Sequence, residues 1–148
     1  MLHHETYELV PPLPTTEHTE STEGKRLLFE DECYHIRGAL FEVRKELGPG
    51  FLEGVYPEAL PYEFLDRRIP FLEQVELPVH YKHRKLLQVY KADFICFEKI
   101  IIELKAVNQL IPEHTAQLMN YLKATGLHLG LLVHFCSPEK LDIRRIVK

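Results

Sequence analysis

The residues best able to do chemistry lie in Ile100-Ile-Ile-Glu103-Leu-Lys105-Ala-Val107. Strand alternation sends Ile101, Glu103, Lys105 and Val107 to one face and Ile100, Ile102, Leu104 and Ala106 to the other. A carboxylate and an ammonium then project side by side from a strand otherwise composed for burial. Buried charges are costly unless they are paired or bound to a metal. A Glu–Lys pair at the strand's end would satisfy that requirement by itself. Asp93, flanked by Ala92 and Phe94 in the preceding β-rich segment, adds a second acid where Asp is disfavoured. An edge or bulge position would account for it. So would a meeting with Glu103 across neighbouring strands, giving two hard oxygen donors for Mg²⁺, which takes one or two carboxylates plus waters and phosphate. Lys105 would then stand beside the hydrolytic water and offset charge on a phosphorane-like transition state.

Two further groups converge on this stretch. Gln117 and Tyr121 are four apart on the following helical segment and share a face, with Leu118, Met119, Leu122 and Thr125 as the packing stripe. Glu53, in Gly50-Phe-Leu-Glu53-Gly-Val-Tyr56, follows a Gly-Pro-Gly turn where a helix begins, a position that also suits an acid complementing the helix dipole.

The elements that must hold these groups follow from periodicity. Phe29, Cys33, Ile36, Leu40, Val43 and Leu47 form one helical stripe, stopped by Gly48-Pro49-Gly50. A second stripe reads Val55, Ala59, Tyr62, Leu65 and Ile69, with Pro61 kinking or delaying the helix. Strands are expected over 75–81, 87–97 and 99–107, and the apolar run at 100–102 suits a strand covered on both faces. Pro112 opens another helix and Gly126 closes it, before strands at 127–135 and 141–147. This order predicts one α/β domain, a mixed sheet flanked by helices. Register adds a constraint. A two-residue turn at Glu98-Lys99 would set Asp93 opposite Leu104 and aim it away from Glu103. A shared site needs an odd loop such as Phe97 to Lys99, or a bulge.

Composition bounds the rest. The 148 residues, 45% hydrophobic and 27% charged, fit one globular domain, and no apolar run is long enough to span a bilayer. Three cysteines exclude a disulfide framework and fit a reducing compartment. With no signal peptide visible at the start, a cytoplasmic protein is expected. Residues 1–24 hold five Glu and no Lys or Arg, and read as a flexible acidic, Pro-containing tail. The rest, 25–148, is close to neutral, with short basic clusters at Arg67-Arg68, Lys82-His83-Arg84-Lys85 and Arg144-Arg145. Each is a solvated face unless it borders the same cleft as Asp93. Cys33-Tyr-His35, His80-x-x-His83 and His134-Phe-Cys136 lack the spacing of a structural zinc site.

Gly50-x-x-Glu53-x-x-Tyr56, Ala92-Asp93, Glu103-Leu104-Lys105 and Gln117-x-x-x-Tyr121 occur in that order. Together they resemble the GxxExxY proteins of the PD-(D/E)XK nuclease superfamily, with the QxxxY element of its RecB-like branch. Ile101 to Val107 and Gly126 to Leu132 strengthen the likeness, which spans about residues 28–147. The resemblance implies a restriction-endonuclease-like αβββαβ core, here with an extra N-terminal helix, and Mg²⁺- or Mn²⁺-dependent hydrolysis of phosphodiester bonds in DNA. Asp93, Glu103 and the Leu104 carbonyl would hold the metal, and Glu53 would bind it or its water. Lys105 would be the catalytic lysine; Gln117 and Tyr121 would position it and the nucleic-acid strand. Pro57 and Pro61 depart from the good helix formers usual at that place in the family. Repair, recombination or defence would be the setting, as a homodimer or a component of a larger complex. The alternative is a nuclease-fold module that binds nucleic acid or protein without cutting.

Overall fold

The stripe Cys33, Ile36, Leu40 and Val43 is the buried face of α1 (Glu30–Leu47). Gly48, at φ 73°, ends this helix by donating its N–H to the Arg44 carbonyl at 2.8 Å. The chain is seen in a computed structural model that describes residues 27–148 except Leu52. The expected tail at 1–24 lies outside the described residues.

The second helix, α2 (Val55–Asp66), buries Tyr56, Leu60 and Phe64 rather than the expected stripe. Tyr62 and Leu65 are instead 70% and 65% exposed. Aromatic packing sets the rotation: Tyr56 stacks on Phe135 with centroids 4.3 Å apart, and Phe64 meets Phe94 edge-on at 5.4 Å. Ile69 is buried just beyond the helix. The helix runs through Pro57 and Pro61. Pro57 sits in the first turn, where an N–H has no intrahelical partner to lose, whereas Pro61 removes one bond of the ladder.

Five strands make one sheet in the order β1-β2-β3-β4-β5. They are β1 (Phe71–Tyr81), β2 (Arg84–Cys96), β3 (Ile100–Lys105), β4 (Leu129–His134) and β5 (Asp142–Val147). The β3–β4 pair is parallel and the others antiparallel. A parallel pair needs a crossover, supplied here by α3 (Pro112–Thr125). Ile100, Ile102 and Leu104 pack in one core with α1 and α2. Ile101 packs in the other, with Leu118, Tyr121 and Leu122 of α3. Burial of β3 on both faces is thus why its only charged groups stand at one end.

The β2–β3 connection is the odd loop that register required. Lys99 N–H donates to the Cys96 carbonyl at 3.1 Å, closing a turn whose central residues Phe97 and Glu98 are left-handed, at φ 55° and 59°. Such a mirror-type turn matches the twist of the strands it joins. Lys99 adds the third residue, giving Cys96↔Ile100, Ile95↔Ile101 and Phe94↔Ile102. β1 and β2 each start earlier than expected, at Phe71 and Arg84. No helix among the described residues is long and apolar enough to cross a membrane.

Candidate metal and phosphodiester site

β2 and β3 stop pairing after Phe94↔Ile102, and the sheet forks there. Continuing the register sets Asp93 opposite Glu103. Their side chains replace the missing ladder. Asp93 N–H donates to Glu103 Oε1, and Leu104 N–H donates to Asp93 Oδ2, each at 2.8 Å. Two acids thus close the fork by accepting from each other's strand. Each keeps a second carboxylate oxygen outside these two bonds. Leu104 sends its N–H toward β2, and a strand residue's carbonyl leaves by the same edge, so the Leu104 carbonyl also faces the fork.

Burial lifts the Asp93 carboxyl above its ordinary range, against the opposing pull of the Leu104 N–H and the Lys105 ammonium. Glu103, 4% exposed, is raised well above its ordinary value, first by burial and then by the charge of Asp93. Glu53 repels both acids. Crowded, desolvated carboxylates of this kind are what a divalent cation relieves, and the all-oxygen donor set suits Mg²⁺ or Mn²⁺.

Lys105 extends from the end of β3 on the face of Glu103, and its Nζ donates to Gln117 Oε1 on α3 at 3.2 Å. Glu53 is exposed in the turn before α2, N-terminal to the capping residue Gly54, rather than on the helix itself. Among the described residues no three His, Cys, Asp or Glu side chains form a ready cation cluster. Tyr56 ties that turn down: its hydroxyl donates to the Gly48 carbonyl at 2.7 Å and accepts the Phe51 N–H at 3.2 Å.

Tyr121 corrects the reading of α3. It belongs to the packing stripe with Leu118, Leu122 and Thr125 and is only 5% exposed. Its ring tilts against Tyr90 of β2, centroids 5.2 Å apart. Burial, then the charges of Glu103 and Asp93, push its phenol upward. The ring is core, and only the hydroxyl end can serve the site. Met119 is half-buried at the stripe's margin.

Two residues escaped the sequence reading. Gln74 falls opposite Asp93 when the β1–β2 register is carried through from its neighbours, and its side chain opposes the rise of the Asp93 carboxyl. It is left-handed, at φ 50°, within a strand, and such a conformation costs a non-glycine residue about 1–2 kcal/mol. Leu72 and Ile95 pack toward α3, and so do Val75 and Ala92. Both strands therefore change parity at the Gln74–Asp93 pair. No residue type announces this, since glycine is absent. His134 lies beside Lys105 in the parallel register, buried, with Nε2 bonded to the Val107 carbonyl. It fixes the chain just after Lys105. A depression of about 350 Å³ lined by Arg44, Lys45, Glu139 and Leu141 shares no residue with this set.

The model of the PD-(D/E)XK nuclease superfamily matches residues 30–146. The chain belongs to that superfamily. Its mixed five-stranded sheet between helices is the restriction-endonuclease-like architecture expected from the sequence. Comparison with the curated proteins gives no match. Among solved structures, "Crystal structure of SSO0001" is similar at 18% identity and a TM-score of 0.45, covering 84% of this chain and 70% of that one.

Proposed function

We propose that this superfamily member is a divalent-metal-dependent nuclease that hydrolyses phosphodiester bonds of DNA. The supporting observation is the fork, where Asp93 and Glu103 are locked to each other's backbone beside a lysine held by Gln117. Asp93, Glu103 and the Leu104 carbonyl would hold the ion. Bound there, Mg²⁺ or Mn²⁺ supplies Lewis-acid polarisation of the scissile phosphate.

The chain's own groups do the rest. Hydrolysis forms one P–O bond from water and breaks one to the departing sugar oxygen, which takes up a proton. Gln117 holds the Lys105 ammonium, so its charge would meet the negative charge developing on the phosphoryl oxygens with little reorganisation. Glu53, in the turn that Tyr56 secures, would bind the metal or its water. The Tyr121 hydroxyl end orients the strand or the lysine. Membership in the GxxExxY group of the RecB-like branch, and work in repair, recombination or defence, belong to the same reading.

The test is incubation with single- and double-stranded DNA, with Mg²⁺, Mn²⁺ or EDTA, beside Lys105→Ala. Cleavage that needs the metal and fails in the variant is expected. Cleavage indifferent to EDTA and to the substitution refutes the assignment.

A further inference from the structure

Beyond the Gln74–Asp93 pair, β1 and β2 leave the rest of the sheet and continue as a two-stranded ribbon to Tyr81↔Arg84. From Leu77 to Ala92 this ribbon contains Lys82, Arg84, Lys85 and Lys91 and no Asp or Glu. Lys91 faces Glu76 across the strands, which leaves the cationic charge at the tip. Lys82, Arg84 and Lys85 are exposed, and none is ion-paired with a described residue. Between Pro78↔Val89 and His80↔Lys85 the register shifts, so that Leu86, Leu87 and Gln88 stand opposite Val79 alone. Leu87 is pushed wholly into solvent at 103% exposure, with Tyr81 beside the tip at 63%. At the other end, Tyr90 packs on Tyr121 and anchors the ribbon to α3 next to the acids.

We infer that the ribbon seats in the major groove of duplex DNA flanking the cleaved phosphate. This rests on the nuclease reading and adds the form of substrate and how it is held. The uncompensated cations call for a polyanion, and the ribbon starts at Asp93, so the same polyanion passes the carboxylates. A two-stranded ribbon fits the B-form major groove, about 12 Å wide. The deep, narrow major groove of A-form RNA cannot admit it. β1 sets the limit, because β2 spends Leu86 to Gln88 in the bulge: seven residues from Gln74 to Tyr81, at about 3.3 Å each, reach about 23 Å at most. That equals roughly 7 base pairs of flanking duplex at about 3.4 Å per pair.

The test is the salt dependence of binding to a 24-base-pair DNA duplex, an 8-base-pair duplex and a 24-base-pair RNA duplex, by fluorescence anisotropy in EDTA. Wild type is compared with Lys82→Ala/Arg84→Ala/Lys85→Ala and with the charge-keeping Lys82→Arg/Lys85→Arg, all checked for folding by circular dichroism. On the long DNA the triple alanine variant should lower the slope of log K against log salt by about 2.7, three phosphates at about 0.9 each. The arginine variant should keep the wild-type slope. The short DNA and the RNA should respond to the alanine substitutions by less than one. A fall of less than one on the long DNA, or an equal fall on RNA, overturns the inference. Wild type that cuts DNA while its slope ignores the substitutions sinks the ribbon alone. Binding through the ribbon without cleavage in Mg²⁺ or Mn²⁺ sinks the catalytic reading alone.

Discussion

Glu103 offers a test in which two substitutions at one position move stability in opposite directions. Its Oε1 accepts the Asp93 N–H at 2.8 Å inside a site where Glu103 is 4% exposed. Glu103→Ala leaves that N–H without its acceptor, at about 1–3 kcal/mol, and removes one buried methylene at about 0.8 kcal/mol. The combined loss is about 2–4 kcal/mol, which for a domain of this size lowers Tm by roughly 6–15 °C. Glu103→Gln keeps an acceptor oxygen and the methylenes while removing a charge that burial and Asp93 disfavour. In EDTA at neutral pH it should melt above wild type. The sign with pH follows from linkage. The folded-state pKa of Glu103, like that of Asp93, lies above its unfolded value. The stability each proton confers is therefore complete below the unfolded pKa and lost as pH rises through the folded one. Wild type without metal should lose stability as pH climbs from the ordinary carboxylate range. The Gln variant should lose less, and the gap between them should close in acid. The assay is a set of thermal melts from pH 4 to 8 in EDTA. Equal destabilisation by Ala and Gln, or a Gln variant below wild type at pH 8, would refute the reciprocal-bond account.

Three other outcomes are expected. Millimolar Mg²⁺ or Mn²⁺ should raise the wild-type Tm, by about 1.4 kcal/mol of stability when the ion is near tenfold its Kd, and should leave Asp93→Asn/Glu103→Gln unmoved in differential scanning calorimetry. Lys105→Ala should retain that metal-induced shift while cleavage falls by a factor on the order of 10²–10³, the usual cost of losing one charge-stabilising donor, measured on a labelled oligonucleotide. Tyr121→Phe should stay within about 0.5 kcal/mol of wild type because the ring packing on Tyr90 survives, whereas Tyr121→Ala should cost about 3–5 kcal/mol in a denaturant titration.

What could be read from the sequence is what burial on both faces or strict alternation imposes. Ile100, Ile101 and Ile102 demanded a covered strand, and the parity of 93 and 103 demanded an odd loop, which Phe97 to Lys99 supplies. The stripe of α2 was misread because Val55-Tyr-Pro-Glu-Ala-Leu-Pro-Tyr-Glu-Phe-Leu carries apolar residues on nearly every side. Only ring contacts with Phe135 and Phe94, distant in sequence, fix the rotation. Tyr121 has an apolar body and a polar tip, and spacing alone does not say which meets the core. The early starts of β1 and β2 went unseen for other reasons. The first residues of β2 lie at the exposed ribbon tip and carry no period-two pattern, and the alternation of β1 is interrupted at Gln74. Gln74 gave no sign because its left-handed backbone is held by its surroundings rather than signalled by a glycine.

The carboxylates at the fork also complete the sheet, and this bears on how such chains change over generations. A descendant that stopped cutting DNA would still need hydrogen-bond acceptors at positions 93 and 103 to keep β2 and β3 joined. Selection for a folded protein would then tolerate Asp, Asn, Glu or Gln at those places long after catalysis had gone. Lys105 and Gln117 bond to each other rather than to the backbone, so folding restrains them far less. In a lineage of related chains, the two acids are therefore a record of architecture. The lysine and its glutamine partner are the record of chemistry, and their loss beside intact acids would mark a domain turned from cutting to binding.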